Sequence, residues 1–258
     1  GTESNVKEIY DACHRLARDP DNVILNQFSE FGNYIVHRAV TGPALARIFT
    51  AVKGEGPLRA RAFVSASGSA EHNIQGIGDK HVPLIHNVMN SDFVIGVSDR
   101  ACDNLNLLFN TTVGRAFLAR RLGLDQRSLA SLGDLGLSSI ANILGAIKYA
   151  NYMGLGADDA VLTVATDGAA MYETELGLAE QRLAPQAFDE LMAAEVFGRY
   201  LRGVATDHMI ELGRRERERV FNLGYYTWVE QQGTDLTDFD ARRDQDWWDQ
   251  LMRLVGVW

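Results

Sequence analysis

The chain has 258 residues, of which 46% are hydrophobic, and its 25 Lys and Arg against 34 Asp and Glu give a net charge of −9. A chain this acidic lacks the positive surface that binding to nucleic acid or to an anionic membrane requires. No apolar run approaches the roughly 18 residues of a membrane span. The two cysteines, Cys13 and Cys102, suit a reducing compartment. We therefore expect a cytoplasmic, globular protein with neither nucleic acid nor membrane as a partner.

The sequence pattern of the first 180 residues predicts helices that alternate with short apolar strands. Expected helices cover 4–18, 41–52, the stretch from the Ser98-Asp99 cap to about Leu122, and 138–153. Expected strands cover 62–66, 92–97 and 160–165. Continuous apolar strands between helices indicate an α/β fold with a mainly parallel sheet that helices cover on both faces.

From residue 181 onward the pattern changes to long helical stretches without an evident strand. This predicts an α/β domain over 1–180 and a helical C-terminal extension over 181–258. The extension contains an aromatic segment, 221–229, and a second apolar set at helical spacing that predicts one buried stripe: Trp247, Trp248, Leu251, Met252, Leu254 and Val255. Either these segments cover the first domain of the same subunit, or they form a homodimer contact. Gating of substrate by the tyrosines is a third alternative.

Several familiar catalytic patterns are missing from the sequence. There is no His-x-x-x-His pair and no cysteine pair at zinc spacing, so no metal site is predicted. There is also no Gly-x-Ser-x-Gly elbow and no Cys-x-x-Cys. The sequence therefore gives little support to a serine hydrolase or to a thiol redox protein.

Three turns of small residues remain as candidate ligand sites, at 65–70, 76–78 and 136–139. Each follows a predicted strand or precedes a predicted helix, and each alone is explained by ordinary turn chemistry. Backbone N–H groups gather at such edges of open α/β sheets, and small residues allow a phosphate to approach them closely. Taken together, the three turns indicate a phosphorylated cofactor.

The order of several motifs resembles the cysteine synthase-like family of pyridoxal-phosphate-dependent enzymes. The resemblance covers about residues 20–175, and its implied fold is an incomplete version of the tryptophan synthase β-like fold. The motifs are Asn26-Gln27-Phe28, Thr41-Gly42-Pro43, Ser67-Gly68-Ser69, the segment 72–78, Gly136-Leu137-Ser138-Ser139 and Thr166-Asp167-Gly168.

The resemblance implies roles for individual residues, with pyridoxal 5′-phosphate as the cofactor. Ser138 matches the serine that hydrogen-bonds the pyridine nitrogen. A neutral hydroxyl there favours β-elimination and replacement over transamination. The resemblance further assigns the cofactor phosphate to Ser67, Gly68 and Ser69, and the side facing the substrate to Gly76, Ile77 and Gly78.

The sequence also departs from the family in two places. The family's Schiff-base lysine lies in a Ser-x-Lys segment, and none of Lys7, Lys53, Lys80 and Lys148 stands in that context. After Ala70 the family continues through Gly-Thr, a helix and a strand, whereas here Glu71 follows directly. We expect the catalytic lysine to come from residues outside this sequence, and the chain alone to be inactive.

The resemblance implies a lyase or β-replacement enzyme that acts on an amino acid such as a serine or cysteine derivative. One alternative is a non-catalytic pseudoenzyme, or a regulatory or complementing subunit, that keeps the scaffold. Another is an amino-acid deaminase built on the same scaffold.

Overall fold

The computed structural model describes residues 6–66, 74 and 81–256. Its fold is mixed α/β, 63% helical, with one small parallel and one small antiparallel sheet among those residues. The helices are α1 (Val6–Leu16), α2 (Phe31–Val36), α3 (Gly42–Lys53), α4 (Asp99–Asn110), α5 (Thr112–Leu122), α6 (Gln126–Ser131), α7 (Leu137–Met153), α8 (Glu173–Leu183), α9 (Glu190–Phe197), α10 (Arg214–Tyr225), α11 (Leu236–Ala241) and α12 (Gln245–Leu251). The strands are β1 (Arg59–Phe63), β2 (Phe93–Ile95), β3 (Asp159–Leu162) and β4 (Met209–Glu211).

The strands form two separate pairs. β1 and β3 are parallel, from Arg59 opposite Asp159 to Phe63 opposite Leu162. β2 pairs with β4 in the antiparallel sense. The predicted α/β class is confirmed at this coarse level, but the prediction that strand 92–97 belongs to one parallel sheet is wrong. Its partner, β4, lies in the C-terminal stretch where no strand was predicted, because three residues are too short to give a period-2 signal.

Two helix predictions are confirmed closely, and a third is wrong. The helices expected over 41–52 and 138–153 are α3 and α7. The single helix expected from Ser98 to Leu122 is instead two helices, α4 and α5. At Thr111 the backbone is extended, and its hydroxyl accepts a hydrogen bond from the N–H of Gly114 at 3.1 Å. A threonine in this position caps the second helix.

The larger apolar core surrounds α4, which packs against α5, α7, α8 and α9. Leu105, Leu107 and Leu108 of α4 are completely buried. Apolar side chains point in several directions from this helix, as expected for a helix covered on most sides. The core thus holds α4 and α7 in fixed positions, and both helices begin at the candidate sites described below.

A second apolar cluster joins the C-terminal helices to the segment that precedes β2. Phe221, Trp228 and Phe239 pack there with Leu84 and Val88. The indole N–H of Trp228 also donates a hydrogen bond to the carbonyl of Val82 at 2.8 Å. The aromatic segment 221–229 therefore covers other parts of the same chain.

The aromatic end of the chain packs on α2 and the turn that follows it. The ring centres of Phe31 and Trp247 lie 5.1 Å apart, and Arg38 pairs with Asp249 at 2.6 Å. The predicted stripe is buried only in part, since Trp248 is buried while Leu254 and Val255 are exposed. The α-helix ends at Leu251, so Leu254 and Val255 do not continue the helical spacing on which the prediction rested. The homodimer remains a prediction.

Among the described residues, no single helix has both the length and the apolarity that crossing a membrane requires. Two consecutive helices, 126–134 and 137–153, meet the criteria of length and apolarity only when they are counted together, and the chain bends by 107° between them.

Candidate functional site

The first turn of α7 meets the segment that follows β3. Gly136, just before α7, donates its N–H to the carbonyl oxygen of Asp167 at 2.7 Å. A Cβ atom at Gly136 would lie 2.5 Å from that oxygen, so only glycine fits without a shift. This contact brings together the turn at 136–139 and the Thr166-Asp167-Gly168 segment.

Ser138 lies at this junction as a buried hydroxyl group. Its residue is 5% exposed, and its Oγ lies 3.1 Å from Oγ1 of Thr166. Thr166 itself is exposed. The contact thus links a hydroxyl inside the protein to one at the surface, where a ligand could reach it.

Tyr172 contributes a further hydroxyl group to this junction, and no sequence pattern pointed to it. Burial raises the pKa of Tyr172 and the negative charge of Asp167 raises it further, while a hydrogen bond with Ser138 acts in the opposite direction. Tyr172 is therefore a neutral phenol at physiological pH. Ser138, Thr166 and Tyr172 together present uncharged hydroxyl groups.

Ser139, the next residue of α7, has a buried hydroxyl without a partner. It is 1% exposed, and its Oγ has no hydrogen bond within the described part of the chain. Buried polar atoms are nearly always paired, so an unpaired one calls for a physical reason. One such reason is a ligand or water that completes the site.

Asn142 forms hydrogen bonds with the segments that follow β1 and β3. Its Nδ2 donates to the carbonyl of Val164 at 3.1 Å, and its Oδ1 accepts the backbone N–H of Ala66. Because β1 and β3 are parallel, both chain segments leave the sheet at the same edge. Asn142 is four residues beyond Ser138 and so lies on the same face of α7, a spacing that could have identified it from the sequence.

The other predicted site residues lie outside the described residues. These are Ser67, Gly68 and Ser69 on the phosphate side and Gly76, Ile77 and Gly78 on the substrate side. Ala66, the last described residue before Ser67, donates its backbone N–H to Asn142, which lies one helical turn along α7 from Ser138. The assignments themselves remain predictions.

Lys148 is the buried lysine of the described chain, and it lies away from Ser138. Its Nζ donates to the carbonyls of Gly96 at 2.9 Å and Asp207 at 2.6 Å, and lies 3.0 Å from the Asp207 carboxylate. Ten residues of α-helix separate it from Ser138, which corresponds to about 15 Å. Lys148 is therefore not placed to act at the hydroxyl cluster.

A cavity of about 520 Å³ opens beside Lys148, and the sequence analysis did not find it. It lies between the loop after β2, the middle of α7 and the loop before β4. Arg100, Lys148, Arg199, Asp207 and His208 supply its ionisable lining. The one available signal was a single lysine in an otherwise apolar stretch of helix.

No group of three or more His, Cys, Asp or Glu side chains within the described residues is arranged to hold a metal ion. Comparison of the chain with models of protein families, with curated proteins and with solved structures finds no match.

Proposed function

We propose that the chain is the cofactor-binding part of a pyridoxal-phosphate-dependent lyase or β-replacement enzyme with a tryptophan synthase β-like fold. The observation that carries the proposal is the buried hydroxyl of Ser138 at the edge where β1 and β3 both end. Ligands of open α/β sheets bind outside the carboxyl ends of parallel strands.

The residues at this edge fit the pyridine end of the cofactor. Ser138 would hold the ring nitrogen, and Thr166 would keep the serine hydroxyl in place. When bound, pyridoxal phosphate would withdraw electrons from the α-carbon of an amino acid, which would weaken the Cα–H bond and favour departure of a substituent from the β-carbon. Ser138, as a neutral partner, would leave the ring nitrogen unprotonated, which favours elimination and replacement at the β-carbon.

The hydroxyl of Ser139 supports the same placement. It is buried beside Ser138 and has no partner among the described residues. A polar ligand atom at the start of α7 would give this hydroxyl a hydrogen bond and so remove the cost of burying it unpaired. The N-terminal end of this 17-residue helix adds a partial positive charge in the same place.

A non-catalytic pyridoxal-phosphate-binding subunit is the second candidate, and Lys148 favours it. This lysine is fully engaged with Gly96 and Asp207 and lies about 15 Å along α7 from Ser138. No lysine of the sequence stands in the family's Ser-x-Lys context. The proposal therefore assigns no Schiff-base lysine within this sequence.

Ligand titration tests the proposal, with pyridoxine 5′-phosphate as the probe because it lacks the aldehyde that a lysine would need. We expect saturable binding, measured by calorimetry, that Ser138→Ala weakens. Ser128→Ala is the matched control, because Ser128 is exposed on α6. Absence of saturable binding, or equal weakening by both variants, would contradict the proposal.

Reduction with borohydride in the presence of pyridoxal 5′-phosphate separates the two candidates. A subunit without a Schiff-base lysine traps little cofactor, whereas stoichiometric trapping, mapped by mass spectrometry, identifies a reactive lysine. Trapping at Lys80, which follows Gly76-Ile77-Gly78 in the sequence, would show that the chemistry belongs to this chain.

A further inference from the structure

We propose that the cavity beside Lys148 binds the phosphate group of a small phosphorylated molecule, at a site separate from Ser138. We call it the Lys148 cavity and define it by Arg100, Lys148, Arg199, Asp207 and His208. This inference does not depend on the proposed function.

The charge of the Lys148 cavity favours an anion. Arg100, Lys148 and Arg199 line it, against the single carboxylate of Asp207. In a chain with a net charge of −9 such a local excess of positive charge is unusual, and it would attract anions towards this surface.

The two arginines have free capacity for hydrogen bonding. Within the part of the chain that the structure describes, the guanidinium groups of Arg100 and Arg199 form no ion pair with a carboxylate. Both side chains are exposed at the cavity, and the guanidinium carbon of Arg199 lies 5.3 Å from the centre of the Tyr200 ring. The forked guanidinium group matches the geometry of phosphate oxygens.

The wall of the cavity is fixed before any ligand arrives. Lys148 holds the loop before β4 through the carbonyl and the carboxylate of Asp207, and the loop after β2 through the carbonyl of Gly96. The N–H of Gly96 also donates to the carbonyl of His208 at 2.7 Å. A preformed site loses less conformational freedom when it binds a ligand.

His208 adds an independent sign of a specialised loop. Its φ is +52°, in the left-handed region that residues other than glycine seldom adopt. Such backbone strain persists only where the surroundings enforce it, and it is concentrated at binding and active sites. Its imidazole is largely exposed at the cavity, where it could face a bound anion.

The size and the apolar part of the lining indicate a ligand larger than inorganic phosphate. A volume of about 520 Å³ lies within the range of small-molecule pockets. Val97, Ala101, Leu144, Tyr200 and Val204 supply apolar contacts. A phosphorylated organic molecule would use both parts of the lining.

Calorimetric titration of the protein with inorganic phosphate, at ionic strength held constant with sodium chloride, tests the proposal. We expect saturable binding that Arg100→Gln and Arg199→Gln each weaken by about tenfold, equivalent to about 1.4 kcal/mol. Arg219→Gln is the matched control, since Arg219 is exposed on α10 outside the cavity. Circular dichroism verifies that each variant is folded.

Three outcomes would overturn the proposal. They are the absence of saturable phosphate binding, equal weakening by Arg219→Gln, and binding of malonate without binding of phosphate, which would identify a dicarboxylate site. Arg100→Gln and Arg199→Gln distinguish this site from the proposed cofactor site, because they should weaken phosphate binding here and leave the Ser138-dependent binding of pyridoxine 5′-phosphate unchanged.

Discussion

The hydroxyl oxygens of Ser138 and Thr166 lie 3.1 Å apart, so the start of α7 is joined to the segment after β3 by a hydrogen bond between side chains. The next residue, Ser139, is also buried but has no such bond among the described residues. Two adjacent serines therefore provide a direct comparison between a paired and an unpaired buried hydroxyl.

We expect Ser138→Ala to lower the free energy of unfolding by about 0.5–1.5 kcal/mol for each hydrogen bond that it removes, to Thr166 and to Tyr172. Ser139→Ala removes a hydroxyl without a partner, so its effect should be close to zero or stabilising. Urea denaturation of both variants measures the difference. A larger loss for Ser139→Ala would mean that Ser139 makes the structural contact.

On the proposed function, and in an assembly that supplies the Schiff-base lysine, Ser138→Ala should reduce turnover while the fold is retained. Ser138→Asp should favour a protonated pyridine and shift the products towards transamination. Product analysis with an amino-acid substrate measures the shift. Unchanged kinetics in both variants would contradict the role given to Ser138.

Gly136→Ala should open the junction between α7 and the segment after β3. The added Cβ would lie 2.5 Å from the Asp167 carbonyl oxygen and 2.6 Å from a ring carbon of Tyr172. Overpacking of this kind costs about 1–3 kcal/mol, which urea denaturation would measure. Gly177→Ala is the control, because nothing lies within 4 Å of a Cβ there. It should be neutral or slightly stabilising, as expected for alanine within a helix.

Cys102 should resist thiol reagents in the folded protein. Burial, followed by the charges of Asp99 and Asp103, raises the pKa of its thiol to about 12, and the thiolate is the reactive form. Cys13 is only half-buried. Under native conditions a thiol reagent should label Cys13 alone, and Cys102 only after unfolding. Rapid native labelling of Cys102 would contradict its burial.

The same shift makes stability depend on pH in the alkaline range. Above pH 9.0, the ordinary pKa of the thiol, the unfolded chain loses the Cys102 proton while the folded chain keeps it. The free energy of unfolding should therefore fall as the pH rises from about 9 towards 12, by up to about 1.4 kcal/mol per pH unit from this group. Comparison with Cys102→Ala isolates the contribution of Cys102.

Trp228→Ala should be among the most destabilising single changes in the C-terminal part. Trp228 is 1% exposed and hydrogen-bonded to Val82, and loss of a buried tryptophan costs about 3–5 kcal/mol. Leu223→Ala is the control, since Leu223 is 66% exposed. Thermal unfolding should separate the two variants clearly.

Deletion of the chain from residue 220 onward should reduce solubility or dimerisation before it affects cofactor binding. It would remove the aromatic side chains that cover Leu84 and Val88, and exposed apolar surface of that kind promotes association. Sedimentation measures the outcome. A soluble, unchanged oligomer that had lost only its turnover, assayed in an assembly that supplies the Schiff-base lysine, would assign the tail to the active site.

The sequence predicts those features that depend on local signals. Pro43 in the first turn predicts α3, and the structure agrees with the helix predicted over 138–153, which ends before Gly154 in the left-handed conformation. The break at Thr111 was missed, although Asn110-Thr111-Thr112 is a possible capping sequence. The order of motifs predicts a role for Ser138, and this signal extends beyond any single turn; the role remains a prediction.

Features that depend on distant pairing could not be predicted in this way. The pairing of β2 with β4 brings together residues more than a hundred positions apart. Neither strand contains a sequence signal that indicates which strand it pairs with. The Lys148 cavity likewise draws its lining from three separate segments. Arg199 and His208 carried no local signal that linked them to Arg100.

The parallel pairing of Arg59 with Asp159 has a consequence for how the protein folds. The two residues are 100 positions apart, so the pairing must close a large loop that contains α4 to α7. The entropy cost of closing such a loop is met before the strands gain any contact, which makes long-range parallel pairing slow. We expect α4, α5 and α7 to acquire hydrogen-exchange protection first, and β1 to join β3 late. The edge that carries Ser138 would then be assembled in one of the last steps of folding.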